Sequence, residues 1–268
     1  MLYEIFKKSW NDFDKRLIVP IILQNLVALL LLIVFLYING LLSWSFLSGI
    51  GIKSQDSAMM LLSLFSSKKF IISGIAFLIL AFAFNAMFSA MRLAFTNSLV
   101  QRKPMTVDMM FRHGLEDFGR VLAMKLLLIA VVVLAVIAIV LLSLLAKLAS
   151  ESAVIFVIIA LGLLAGIVIG LGMLFAYATM FIMNTGAYDA LKKSFSYGLH
   201  RKGLAIKTVL FLILMALPSL LLNLANGLNE SRIALGILIS IRLAYGFFLI
   251  AWNDLFIFNV YNSNKNPH

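Results

Sequence analysis

Six long apolar stretches constrain this chain more than any other feature. They run over Leu17–Ile38, Phe70–Phe95, Val121–Leu145, Ala153–Met183, Leu204–Ala225 and Ile233–Phe258. A helix crosses the hydrocarbon core of a bilayer with about 20 apolar residues, so each stretch is long enough to span. Of the 268 residues, 63% are hydrophobic and 12% are charged. A soluble domain of this size cannot bury that much apolar surface. The expected fold class is all-α: a polytopic membrane protein of six transmembrane helices forming a single membrane domain over residues 1–268. Pro20 falls in the first turn of the first span, where a missing N–H costs little. Pro218 lies well inside the fifth and is expected to kink it.

Orientation follows from the Lys and Arg of the short loops. One side carries Lys7, Lys8, Lys15, Arg16, Arg102, Lys103, Arg112, Arg120, Lys125, Lys192, Lys193, Arg201, Lys202, Lys207 and Lys265. The other carries Lys53, Lys68, Lys69, Lys147 and Arg232. Fifteen against five places both chain ends in the cytoplasm of a multi-pass cell-membrane protein. The net charge of +11 is then mainly a topology signal. A nucleic-acid partner is not expected, because no basic stretch is interleaved with aromatic residues. The first span is not read as a cleavable signal peptide, since Tyr37-Ile38-Asn39-Gly40-Leu41 offers no small-residue cleavage site.

Three segments of the chain read alike: FKKSWNDFDKRLIVPIIL from Phe6, FRHGLEDFGRVLAMKLLL from Phe111 and LKKSFSYGLHRKGLAIKTVL from Leu191. Aligned, they superpose Ser9, Gly114 and Ser194, then Trp10, Leu115 and Phe195. Phe6, Trp10, Phe13 and Leu17 keep helical spacing, as do Phe111, Leu115, Phe118 and Leu122, and Tyr188, Leu191 and Phe195. Apolar residues at that spacing beside Lys and Arg describe helices lying in the membrane interface. The expected unit is an interfacial helix plus a hairpin of two spans, repeated over residues 4–100, 106–185 and 186–262. An even number of spans per unit makes the copies parallel about an axis normal to the membrane. The loop from Asn39 to Lys69 holds the short apolar runs LLSWSFLSGIGI and AMMLLSLF, read as interfacial.

The polar residues inside the spans are the candidate functional ones. A buried Arg costs at least about 2.5–3.5 kcal/mol on insertion scales, so Arg92 and Arg242 are functional-site candidates. For Arg242 the structural alternatives are snorkelling outward or a bond to Asn223 or Asn226. The second, fourth and sixth spans end near Asn97, Asn184 and Asn259. Aligning these three puts Arg92, Thr179 and Asp254 at one depth, and an Arg92–Asp254 ion pair, direct or through Thr179 or a water, is expected to tie the first repeat to the third. Gly162, Gly166 and Gly170 form a small-xxx-small ridge, expected to pack against a neighbouring helix of the same chain. The alternative is dimerisation. No cysteine is present, which excludes disulfides and thiolate chemistry. No phosphate loop, no metal-binding HExxH and no serine triad can be assembled, so no catalytic, metal or cofactor-binding residue is named.

The stretches KKSWNDFDKRLIVPIILQNL and ALKKSFSYGLHRKGLAIKTVL resemble a broad group of uncharacterised six-helix prokaryotic integral membrane proteins, related to the membrane domain of glycerophosphodiester phosphodiesterases. The resemblance implies the fold. In those phosphodiesterases catalysis belongs to a separate soluble barrel, and these 268 residues hold none, so no phosphodiesterase activity is expected of them. The expected function is a non-enzymatic module that binds lipid or another amphiphile, or that scaffolds a membrane complex. Its partners would be anionic headgroups on the cytoplasmic face and an unidentified membrane protein. The alternative is a transporter of a small anionic or amphiphilic substrate along the repeat axis, and a lipid-modifying membrane enzyme ranks last.

Overall fold

A computed structural model describes residues 2–42, 66–147, 151–227 and 232–264, and among these residues there is no strand. The elements are α1 (Leu2–Asn11), a 3-10 turn (Lys15–Leu17), α2 (Ile18–Ile38), α3 (Lys68–Val100), α4 (Val107–Lys147), α5 (Glu151–Met173), α6 (Ala176–Ile182), α7 (Ala187–His200), α8 (Lys202–Gly227) and α9 (Arg232–Asn264). Six helical stretches are long and apolar enough to cross a membrane. The helices pair as hairpins: α2 with α3, α4 with α5–α6, and α8 with α9. The apolar runs of the loop after α2 lie outside the described residues.

Two local features depart from the sequence reading. No separate interfacial helix precedes the third span: α4 is one helix of 41 residues. It would reach about 60 Å at 1.5 Å per residue, longer than a bilayer is thick, so its basic first turns project beyond the hydrocarbon. Gly119 sits on the exposed side of α4 and does not interrupt it. The fourth span is not continuous either, because Leu174 and Phe175 form a turn between α5 and α6. Pro218 lies inside α8, which runs as one helix from Lys202 to Gly227.

Packing is concentrated at one end, called here the basic end because Arg102, Lys103, Lys192 and Lys193 surround it. There α3, α6 and α9 meet one another. Alanine and serine at positions 86, 89, 90, 94, 98, 176, 178 and 251 let the three helices approach, and all eight are buried. Phe95, Phe175, Trp252, Phe256 and Phe258 fill the space in and around this meeting point, each under 2% exposed. Trp252 and Phe256 stack at 5.0 Å, and Phe211 of α8 lies 5.0 Å from Phe256. Around this core α1 packs on α9, the start of α4 on α3, and α7 on α5. Each contact is made by a small residue. Ser9 accepts a bond from Asn259 Nδ2 at 3.1 Å, and Ser194 Oγ donates to the Gly172 carbonyl at 2.6 Å. A Cβ on Gly114 would lie 2.9 Å from Met91 Cα, closer than real Cβ atoms approach.

Away from the basic end, among the described residues, hairpin partners are joined by polar and aromatic contacts, while neighbouring hairpins face each other across apolar grooves. Asn39 Nδ2 donates to Ser73 Oγ at 2.9 Å, Phe35 packs on Phe70 and Phe77, and Tyr245 OH donates to the Met215 carbonyl at 2.6 Å. The Leu, Ile and Val side chains of these halves are exposed along most of their length. That is the surface expected of helices solvated by lipid.

Candidate functional site

The polar residues of the apolar helices converge where the packed half begins. Asn85, Ser89 and Arg92 follow i, i+4, i+7 spacing and form one stripe along α3. Arg92 Nε reaches Asp254 Oδ2 of α9 at 2.5 Å, with the two side chains 14% and 21% exposed. A charge-assisted bond this far from water is held by its partner: removing either group leaves the other costly to bury. Lys125 of α4 points at the same stripe. Its Nζ donates to Asn85 Oδ1, to Ser89 Oγ at 2.9 Å and to the Asn85 carbonyl at 3.4 Å. Lys125 and Tyr177 both lie within electrostatic reach of Arg92 and of Asp254. Two cations and one carboxylate leave the cluster with one uncompensated positive charge. All three oxygens that Lys125 holds are neutral.

A Ser–Lys contact has the composition of a nucleophile and its base. Here the Ser89 hydroxyl is buried and the residue is 6% exposed. The surrounding backbone amides belong to the helical bonds of α3, so no pair of donors faces Ser89 as an oxyanion pocket would require. Among the described residues no group of three His, Cys, Asp or Glu could hold a metal ion. What the cluster offers chemically is one positive charge held on neutral oxygens, beside an ion pair that is already closed.

Towards the basic surface the helix ends are tied by cations. Arg120 binds Asp117 at 2.6 Å and donates to the carbonyls of Met180 and Thr185, which locks α4 onto the end of α6. Arg16 donates to the Met105 carbonyl at 3.1 Å and lies over Phe95. The hydrogen bonds from Arg16 hold the Asp14 carboxyl below its usual range. Burial pushes the Tyr197 phenol up, and its ring packs between Phe175 and Tyr261.

Of the residues singled out in the sequence, Arg92 and Asp254 are brought together and Thr179 is not part of their bond. The ion pair is direct, and Thr179 is fully buried with its hydroxyl unpartnered among the described residues. The expected register also fails. Asn184 takes a left-handed conformation (φ 50°) just beyond α6, whereas the left-handed residue that ends α3 is Arg102 (φ 55°), five positions past Asn97. Asn97 and Asn184 are therefore not equivalent. Arg242 is exposed in the open half of α9, away from the cluster and with no partner among the described residues. The Asn223 and Asn226 side chains lie outside those residues. The close packing expected of Gly162, Gly166 and Gly170 inside the chain is also absent, since a Cβ on any of them would meet nothing within 4 Å. The ridge instead lines an apolar groove of about 530 Å³ against Ile206, Val209 and Leu210 of α8.

Asn85, Ser89 and Lys125 are not among the residues that the sequence alone marks as functional. By sequence Lys125 groups with the loop charges, although it stands four residues inside the third apolar stretch. That position, and the Asn85–Ser89–Arg92 spacing, were the available signals. Compared with known proteins, the chain matches no family model, no curated protein and no solved structure.

Proposed function

We propose that the chain is a non-enzymatic integral membrane module that binds anionic lipid through a basic collar at the cytoplasmic surface of its packed half. The observation that carries this reading is the placing of the basic residues. Lys7, Lys15, Arg16, Arg102, Lys103, Arg112, Lys192, Lys193, Lys202 and Lys207 are all exposed and ring the same end. Beside them stand Tyr3, Trp10, Leu115 and Tyr188, apolar or amphipathic residues left 54–70% exposed. Cations flanked by aromatic rings suit the level of the headgroups, and each well-placed Lys or Arg contributes about 1 kcal/mol towards an anionic leaflet. The fifteen-to-five charge bias assigns this end to the cytoplasm.

Three parallel units remain the organisation that best suits the packing order. The helical segment opening each unit rests on the second arm of the unit before it: α4 on α3, α7 on α5, and α1 back on α9, closing a ring. Close packing of α6 on α9, where Phe181 and Phe258 lie 6.3 Å apart, favours binding over transport.

Lipid retention tests the reading. Gently extracted protein analysed by native mass spectrometry should carry phosphatidylglycerol or cardiolipin in preference to phosphatidylcholine. The preference should fall with added salt. It should fall by about a thousandfold when Lys192, Lys193, Lys202 and Lys207 are all changed to Gln, at about 1 kcal/mol each. Equal retention of anionic and zwitterionic lipid by the unaltered protein would refute the collar.

A further inference from the structure

Lys125 is not part of the collar. It sits beside Asn85, seven residues deeper along α3 than Arg92, which is about 10 Å further from the basic end at 1.5 Å per residue. An apolar groove of about 760 Å³ opens sideways between α3 and α4 and is lined by Leu78, Phe82, Asn85, Leu122 and Leu126 among others. Lys125 lies between Leu122 and Leu126 on α4, and Asn85 is both a wall of the groove and the residue that Lys125 clasps. The apolar trough thus has one polar wall residue, Asn85, and the Lys125 ammonium is bonded directly behind it.

We propose that this groove is a binding site for one long-chain carboxylate, its acyl chain along the α3–α4 trough and its headgroup on Lys125 and Asn85. The proposal rests on the reading of the chain as an amphiphile-binding membrane protein, but not on the collar. Charge complementarity identifies the occupant. The charged groups facing Lys125 are Arg92 and Asp254, already joined to each other, so one positive charge is left and a monoanion neutralises it. Donor geometry agrees. Lys125 gives up a neutral oxygen to take a carboxylate oxygen, and the Asn85 amide nitrogen, which has no partner among the described residues, is free to donate to the second. Access selects the source. The trough opens to the side and not to the basic surface, so the anion arrives with a hydrocarbon chain from within the leaflet. At that depth a carboxylate loses less hydration than a phosphate, which carries more charge and more oxygens.

The test uses the full chain in phosphatidylcholine nanodiscs titrated with palmitate, methyl palmitate and dodecyl phosphate. Palmitate should bind saturably with one site per chain. Methyl palmitate, the same chain without charge, should bind at least about tenfold more weakly. Lys125→Gln should weaken palmitate about tenfold, the usual scale for losing a hydrogen bond to a charged group. Leu126→Trp, which leaves Lys125 in place and fills the trough, should abolish saturation while helix content is unchanged; this keeps the result readable if Lys125→Gln perturbs folding. Lys192→Gln with Lys193→Gln should lower anionic-lipid retention and leave palmitate untouched. Palmitate binding that is insensitive to both Lys125→Gln and Leu126→Trp overturns the site. So does methyl palmitate binding as tightly as the acid. Dodecyl phosphate binding better than palmitate overturns the carboxylate. If palmitate fails while anionic phospholipid is still retained, only this site falls and the collar stands.

Discussion

The two halves of the molecule are built from the same kinds of helix and solve different problems. In the half at the basic end, small residues on α3, α6 and α9 let backbones approach, and large rings such as Trp252 and Phe256 close the gaps. Helices α1 and α7 and the first turns of α4 then wrap the outside. In the opposite half, Leu, Ile and Val face outward, and the first and third hairpins are held by bonds of their own, Asn39 to Ser73 and Tyr245 to Met215. Hydrophobicity does not distinguish the halves, because in a bilayer lipid solvates a leucine as well as a protein does. What distinguishes them is the supply of small residues and polar contacts.

Changes that probe this difference should fall in a clear order. Trp252→Ala empties a fully buried site and should cost about 3–5 kcal/mol, whereas Leu217→Ala, on the exposed face of α8, should stay within about 0.5 kcal/mol. Unfolding in mixed micelles with increasing denaturing detergent would measure both. If the two costs are comparable, the halves are not packed differently.

The Arg92–Asp254 pair should come next. Arg92→Ala or Asp254→Ala should each cost about 3 kcal/mol by stranding a charge, and exchanging the two residues should recover much of the loss. Additive losses in the double-mutant cycle would mean that the two groups do not interact.

Glycines sharpen the comparison within a single residue type. Gly114→Ala drives a methyl into the Met91 backbone and should cost about 1–3 kcal/mol. Gly166→Ala points its methyl into an open groove and should be neutral, or stabilising by about 0.5–1 kcal/mol through helix propensity. A large loss at Gly166 would mean that another helix closes on that ridge.

Sequence made some of this legible for identifiable reasons. The number of spans follows from six long apolar runs, but their limits do not, since α4 begins at Val107, well before its apolar run at Val121. The Arg92–Asp254 pair was anticipated from depth, although the asparagine register behind it was wrong: Asn97 lies inside α3, whereas Asn184 follows the end of α6. Two charges near the same end of neighbouring spans find each other even when the alignment is off by a turn. The glycine ridge was misread because small-xxx-small spacing permits a close approach without naming a partner. Lys125 was overlooked because a charge near a span boundary looks like a loop charge until its neighbours on α3 are known. The turn at Leu174–Phe175 carries no glycine, proline or charge and left no mark in the pattern.

The smallest expected effect lies at the junction of α1 and α2. Bonds from Arg16 lower the Asp14 carboxyl, so the stabilisation they give is present above the ordinary carboxylate range and is lost as the pH falls below about 4. The site is open to solvent, so only local loosening is expected there. Amide exchange across residues 12–17 should quicken at pH 3 relative to pH 5 after correction for intrinsic rates, and Asp14→Asn should remove the difference.

Distance measurement across the hairpins tests the difference between the halves most directly. The chain has no cysteine, so spin labels can be placed in pairs without altering a native thiol. One pair, at Ser196 and Leu115, joins α7 to the start of α4 in the packed half. A second, at Leu80 and Leu163, joins the open halves of the first two hairpins. In nanodiscs, double electron–electron resonance should give one narrow distance for the first pair and a broad distribution for the second. Two equally narrow distributions would contradict a molecule closed at one end and held only hairpin by hairpin at the other.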